Sequence, residues 1–225
     1  LDGEAYTTGP ITAACSVSAN FDLISIEVTA NAGPGGTISP TASIVEYGST
    51  SSFTVSPDDG YTTESVTGCG GTLEGTTYTT APITATCAIT ASFRINVYEV
   101  TASASEGGTI SPLSVNVEHG STAEFSLAPD AGYSVSEATG CDGVLQSNTY
   151  LTGPITAACE VAVGFRPLFF VASNGITVRC PDAALGQTGI VNGVEYTKRT
   201  RDQITRLNAR QTCTTDITDM SSLFI

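Results

Sequence analysis

Seven cysteines and one histidine are the residues of this sequence best suited to chemistry, and their spacing decides which chemistry. Cys69 precedes Cys87 by 18 residues, and Cys141 precedes Cys159 by the same 18. A thiol pair repeated at one separation suits a disulfide, which needs only two partners. A structural zinc site needs four clustered ligands, whereas this sequence has no C-x-x-C and His119 is its only imidazole. The expected bridges are Cys69–Cys87 and Cys141–Cys159, with Cys180 and Cys213 forming a third. Closing such a loop stabilises a small domain by ~3 kcal/mol on chain-entropy reasoning. Cys15 is the odd member: the same 18-residue step puts its partner upstream of residue 1. It is expected to stand unpaired here, or to pair with a missing segment or another chain. Three bridges point to an oxidising, extracellular setting.

Other candidate groups read as structure. Asp58 and Asp59, with Asp130 at the position 72 residues after Asp58, suggest a calcium loop. Calcium, however, takes six to eight oxygens, and Ala131 replaces the second acid. Turn formation is the better reading. His119 occupies the place held by Tyr47 in the preceding unit and reads as an ordinary strand residue. It has no counterpart elsewhere to activate a serine or threonine. The glycine clusters "GPGG" and "GCGG" lack the strand–loop–helix setting and the lysine of a phosphate cradle. The expectation is a non-enzyme without cofactor or metal.

The elements that must position the cysteines repeat with them. "GPITAAC" occurs at 9–15 and 153–159, with "APITATC" at 81–87; "GGTISP" occurs at 35–40 and 107–112. "TGCGGTLEGTTY" at 67–78 returns as "TGCDGVLQSNTY" at 139–150. Phe53 maps on Phe125, Tyr61 on Tyr133, Tyr78 on Tyr150, and Phe93 on Phe21 and Phe165, repeat-invariant positions such as core residues hold. In the opening segment Leu1, Tyr6, Ile11, Ala13, Val17 and Phe21 correspond to the expected core positions Leu73, Tyr78, Ile83, Ala85, Ile89 and Phe93. A 72-residue period means tandem copies of one folded unit. The units are 24–95 and 96–167, preceded by the last third of another at 1–23, so more of the same protein is expected on either side. Within "ITATCAITASF" Ile83, Ala85, Cys87, Ile89, Ala91 and Phe93 alternate with mostly polar residues, which predicts an eleven-residue half-buried strand. "SIVEYGSTSSFTVSP" predicts two strands reversing at Gly48-Ser49, and "PDDGY" is turn chemistry. The fold class expected is all-β: tandem small antiparallel domains of about six strands each, joined by short links near 22–25, 94–97 and 166–170 into a beaded rod.

The charge is one-sided. There are 22 acidic and 8 basic residues, net −14. Residues 1–165 hold 17 of the acids and only Arg94 among the bases, while 166–225 hold seven bases and five acids. An acidic array without lysine disfavours nucleic acid and anionic lipid. Lys198, in the tail, is the sole lysine, which also excludes Lys–Asn isopeptide crosslinks from the repeats. No apolar run approaches the ~20 residues of a membrane span, so no membrane insertion is expected of this segment.

The order "GGTISP", "V-x-x-G-S-T", "F-x-x-x-P-D-x-G-Y" and "C-x-I-T-A-x-F" resembles the divergent internalin B-type repeats of bacterial surface proteins, over about 1–167. The resemblance implies stalk or spacer modules of adhesins and related exported proteins, β-grasp-like in several cases. The family's usual "GW" after the GY segment is replaced here by "VTGCGG" and "ATGCDG".

The tail, 168–225, leaves the repeat pattern. "IVNGVEYTK" (190–198) predicts a hairpin turning at Asn192-Gly193. "TRDQITRLNA" (200–209) carries a capping box, Thr200 with Gln203, and predicts a short helix with Ile204 and Leu207 on one face. "CTTDITDMSSLF" (213–224) resembles the opening of BspA-like leucine-rich repeats, which implies a small α+β cap segment. The alternative is an independent module held by Cys180–Cys213. Three functions stay open: structural stalk or fibre of a cell-surface or secreted adhesin-like protein, binding module for carbohydrate or another surface ligand, and accessory segment of an exported enzyme. Expected partners are further copies or missing parts of the same protein, or a surface ligand.

Overall fold

The computed structural model describes residues 5–175, 177–213 and 215. Leu1, the first of the expected core positions of the opening segment, and nearly all of the stretch resembling a leucine-rich repeat lie outside them. The chain divides into two compact units: Leu1–Asp59 with Thr63–Arg94, and Gly60–Thr62 with Ile95–Ile225.

The first repeat contains eight strands: β1 Ser25–Ala32, β2 Gly36–Ser39, β3 Ala42–Glu46, β4 Ser52–Pro57, β5 Tyr61–Thr67, β6 Thr72–Glu74, β7 Thr77–Thr79 and β8 Cys87–Ile95. They form two four-stranded sheets, ordered β3-β1-β8-β5 and β2-β4-β7-β6. Alternation buries one face of each: Ile26, Val28 and Ala30 of β1 with Ile89 and Ala91 of β8 join Ile38, Phe53, Val55 and Tyr78 of the other sheet in one cluster. A two-sheet sandwich follows, since each sheet covers the apolar face of the other.

The second unit repeats this arrangement with β9 Val97–Ala104, β10 Gly108–Ser111, β11 Ser114–Glu118, β12 Glu124–Pro129, β13 Tyr133–Thr139, β14 Val144–Gln146, β15 Thr149–Leu151 and β16 Cys159–Pro167. The sheet orders, β11-β9-β16-β13 and β10-β12-β15-β14, are those of the first repeat. Phe125 and Tyr150 take the buried places of Phe53 and Tyr78.

Several expectations are corrected. Each repeat has eight strands, not six. The pairing is antiparallel except between first and last strands: β1 runs parallel to β8, and β9 to β16. β3 and β4 do not form a hairpin, because β3 pairs with β1 and β4 with β2 and β7. The eleven-residue strand is also broken. Gly48 N–H donates to the Ile83 carbonyl and Ile83 N–H to the Ser49 carbonyl, after which the chain bends and β8 begins at Cys87. Ile83 and Cys87 serve different partners, so one straight strand cannot satisfy both. Tyr61 is half-buried, and Tyr133 and Leu73 are 36% exposed, so they do not belong to the core. Phe93 is only partly buried.

In the tail, β17 Phe170–Val171 pairs with β18 Val178–Arg179. β19 Thr188–Val191 and β20 Val194–Lys198 form the hairpin, with Asn192 at φ 51° and Gly193 at φ 79° as its left-handed turn. β21 Thr212–Cys213 lies parallel to β20. The expected helix over 200–209 is absent. Instead 3₁₀ turns occupy Arg201–Gln203 and Ala209–Gln211, Ile204 is buried and Leu207 is 96% exposed. Gln203 Oε1 does accept from the Thr200 N–H at 2.9 Å. The Asn208 side chain, however, accepts from the Thr205 N–H and donates to the Gln203 carbonyl, holding the backbone out of a continuing helix.

Residues 5–23 carry no strand. Tyr6, Ile11, Val17 and Phe21 are all exposed, Phe21 at 91%.

Candidate functional site

One cysteine pair lies at the same corner of each repeat. Cys69 follows β5 and Cys87 opens β8, and the two are bridged with Cα atoms 5.5 Å apart. Cys141 and Cys159 are bridged in the same place after β13, at 5.7 Å. Two local features bring the sulfurs together. A Cβ on Gly68 would lie 2.0 Å from the Ala88 carbonyl oxygen, and one on Gly140 2.0 Å from that of Glu160. Only glycine lets the chain pass this close to β8 or β16. Cys69 and Cys141 then take φ 50°, a left-handed conformation that aims each side chain at the neighbouring strand.

The second feature is a tyrosine. Tyr78 Oη donates to the Gly68 carbonyl at 2.6 Å, and Tyr150 Oη to that of Gly140 at 2.6 Å. Both rings are almost fully buried, so each phenol fixes the backbone beside the cysteine. Burial pushes the Tyr150 phenol above its ordinary value of 10.0; the hydrogen bond at Gly143 opposes this and the nearby Asp142 charge adds to it. Sequence reasoning identifies Tyr78 and Tyr150 as core and misses the hydroxyl contact. The signal available is that both are tyrosine, not phenylalanine, ten residues after a glycine.

The third bridge joins Cys180 to Cys213 with Cα atoms 6.1 Å apart; both residues are fully buried. The Cys180 N–H donates to Thr215 Oγ1 at 2.7 Å. Cys15 is exposed and free. His119 lies one residue beyond β11, in a turn and not in the strand expected for it, with its ring tilted against Tyr98 at 6.0 Å. Asp58 and Asp130 sit in matching turns, their N–H groups donating to the carbonyls of Gly35 and Gly107. Asp59 follows in the turn before β5. Among the described residues no three His, Cys, Asp or Glu side chains converge as a metal site.

A second feature lies within the second unit, where the tail meets β13. Arg166 donates to Asp182 Oδ2 at 2.7 Å, and the Ser134 hydroxyl donates to the same oxygen at 2.7 Å. Burial would raise the Asp182 carboxyl, but the Arg166 and Ser134 hydrogen bonds and the Arg166 charge outweigh it and hold the group below its ordinary value of 3.8. The guanidinium also stands 5.7 Å from the centre of the Phe170 ring. Beside this contact opens a cleft of about 510 Å³ whose lining includes Tyr133, Phe169, Phe170, Gln187 and Asn192. No helix among the described residues is long and apolar enough to cross a membrane.

Comparison with known families agrees with the repeated architecture. Residues 26–97 and 98–165 each match the divergent InlB B-repeat domain. No curated protein matches the chain, and no solved structure does.

Proposed function

We propose, from the premise that this chain belongs to the divergent InlB B-repeat domain family, that it is a structural spacer of a bacterial cell-surface or secreted adhesin-like protein. The family is one of repeats associated with bacterial surface proteins and is not an enzyme family. One observation carries the reading: both repeats close their own core and their own disulfide with the same sheet order. Units that need nothing from a neighbour to bury their apolar faces can be added in series, which sets reach without changing chemistry. Fibre formation with further copies of the chain belongs to the same reading. So does a leucine-rich continuation beyond β21, which the parallel β20–β21 register, Thr197 with Thr212 and Lys198 with Cys213, supports.

The test is the solution dimension of the chain. Small-angle scattering is expected to give a radius of gyration well above the roughly 17 Å of a single compact 225-residue globule. A value at that limit would sink the spacer reading.

A second reading rests on the cleft. Tyr133 and Phe170 offer ring surface, and Gln187 and Asn192 supply amide groups. This is the mixture that holds small neutral ligands, carbohydrate among them. Binding on a glycan array that disappears in Tyr133→Ala, with all three bridges intact, would favour it; no binding by the unaltered chain would remove it.

A further inference from the structure

The parallel pairing of each repeat's first and last strands has a mechanical meaning. In the first repeat β1 and β8 are matched from Val28–Cys87 to Ala32–Ala91, five positions in register. In the second, β9 and β16 are matched from Val100–Cys159 to Ala104–Val163, again five. Both strands of a pair run the same way, so the chain enters at one end of the ladder and leaves at the other. Tension along the chain therefore slides the two strands past each other. All the bonds between them are loaded at once and must yield together. Had the terminal strands been antiparallel, the chain would enter and leave at the same end, and tension would open the bonds one by one. The matched strands are also the centre of the fold: Val28, Ile89, Val100 and Val161 are fully buried, so sliding must drag core side chains through packed neighbours.

The disulfide adds a second limit. Cys87 stands at the first position of β8 and Cys69 just past β5. Once β8 slips, tension passes from residue 69 through the sulfurs to residue 87. Residues 70–86, which include β6 and β7, never bear load. Cys141–Cys159 shields 142–158 in the same way.

We propose that each repeat is a force-bearing link: a shear-loaded parallel clamp whose extension after rupture is capped by its disulfide. The inference rests on the spacer reading, because only a tether between two bodies is pulled end to end.

The experiment is single-molecule pulling of the whole chain by handles at its two ends. The expected result is two similar rupture events, at several-fold higher force than when the handles sit at the N-terminal end and at Ser49. In that control the Ser49–Ile83, Gly48–Ile83 and Tyr47–Ile24 hydrogen bonds are loaded first, then the Ser25–Glu46 pair, and β3 peels from β1 bond by bond. Equal forces in the two geometries would overturn the clamp. Chemical reduction is expected to lengthen each release. The loop adds 18 residue steps of about 3.5 Å, less the 5.5 Å already spanned, or roughly 57 Å per repeat. An unchanged release length would overturn the disulfide cap, and loss of all force peaks on reduction would overturn the assignment of strength to strand pairing. A compact radius in scattering would sink the spacer reading while leaving the pulling result as measured, so the two failures are distinguishable.

Discussion

Tyr78 and Tyr150 show how much one oxygen can matter at the residue scale. Each ring fills the core of its repeat, and each hydroxyl holds the glycine carbonyl beside a bridged cysteine at 2.6 Å. Replacing either by phenylalanine keeps the packing and leaves that carbonyl without the phenol. The expected loss is about 1–2 kcal/mol per substitution, read from chemical denaturation under non-reducing conditions. The pH dependence follows from the same group. The folded phenol of Tyr150 is raised above its ordinary value of 10.0, so its stabilising effect is complete below that value. It is lost as pH rises from there through the folded value, because the unfolded chain releases the proton first. Thermal melting of the second repeat is expected to fall above pH ~10, and to fall less in Tyr150→Phe. Equal alkaline losses in both proteins would show that another group is responsible.

The unit of stability at the element scale is the corner formed by β5, β8 and the bridge between them. β6 and β7 have only three residues each, and Leu73 on β6 is partly exposed. Such short strands contribute little by themselves, so the covalent closure matters. Replacing Cys69 and Cys87 together by alanine is expected to cost the first repeat ~3 kcal/mol, lowering its melting temperature while the Cys141–Cys159 repeat keeps its own. Loss of cooperativity in both repeats would contradict their independence. Alternation in this corner is readable in the sequence, and so is the cysteine spacing. The break at residues 84–86 is not. Ile83 and Cys87 share the polarity of one continuous face, and only the hydrogen bonds of Ile83 with Gly48 and Ser49 reveal that they answer to different neighbours. The helix expected over 200–209 fails for a related reason: Asn208 offers the backbone a competing set of bonds that helical periodicity does not register.

Charge is the property that belongs to the whole molecule. With 22 acids against 8 bases, the chain is expected to repel polyanions and to show no retention on a DNA or heparin column at neutral pH and moderate salt. Self-repulsion vanishes near the isoelectric point of about 4.1, where a solubility minimum is expected; turbidity across an acid titration checks it. What the sequence determined by itself follows from local or periodic information: the 72-residue unit, the β class, the buried faces of Phe53, Phe125, Tyr78 and Tyr150, and the 18-residue cysteine pairs. What tertiary structure alone decided is which strand lies beside which. β3 and β4 carry the same alternation yet enter different sheets, and β1 finds β8 in parallel some 60 residues later. Backbone hydrogen bonds make that choice, and every residue but proline offers the same donor and acceptor. Partner and direction therefore leave no mark on side-chain type, and they emerge only when two sheets must cover each other's apolar faces.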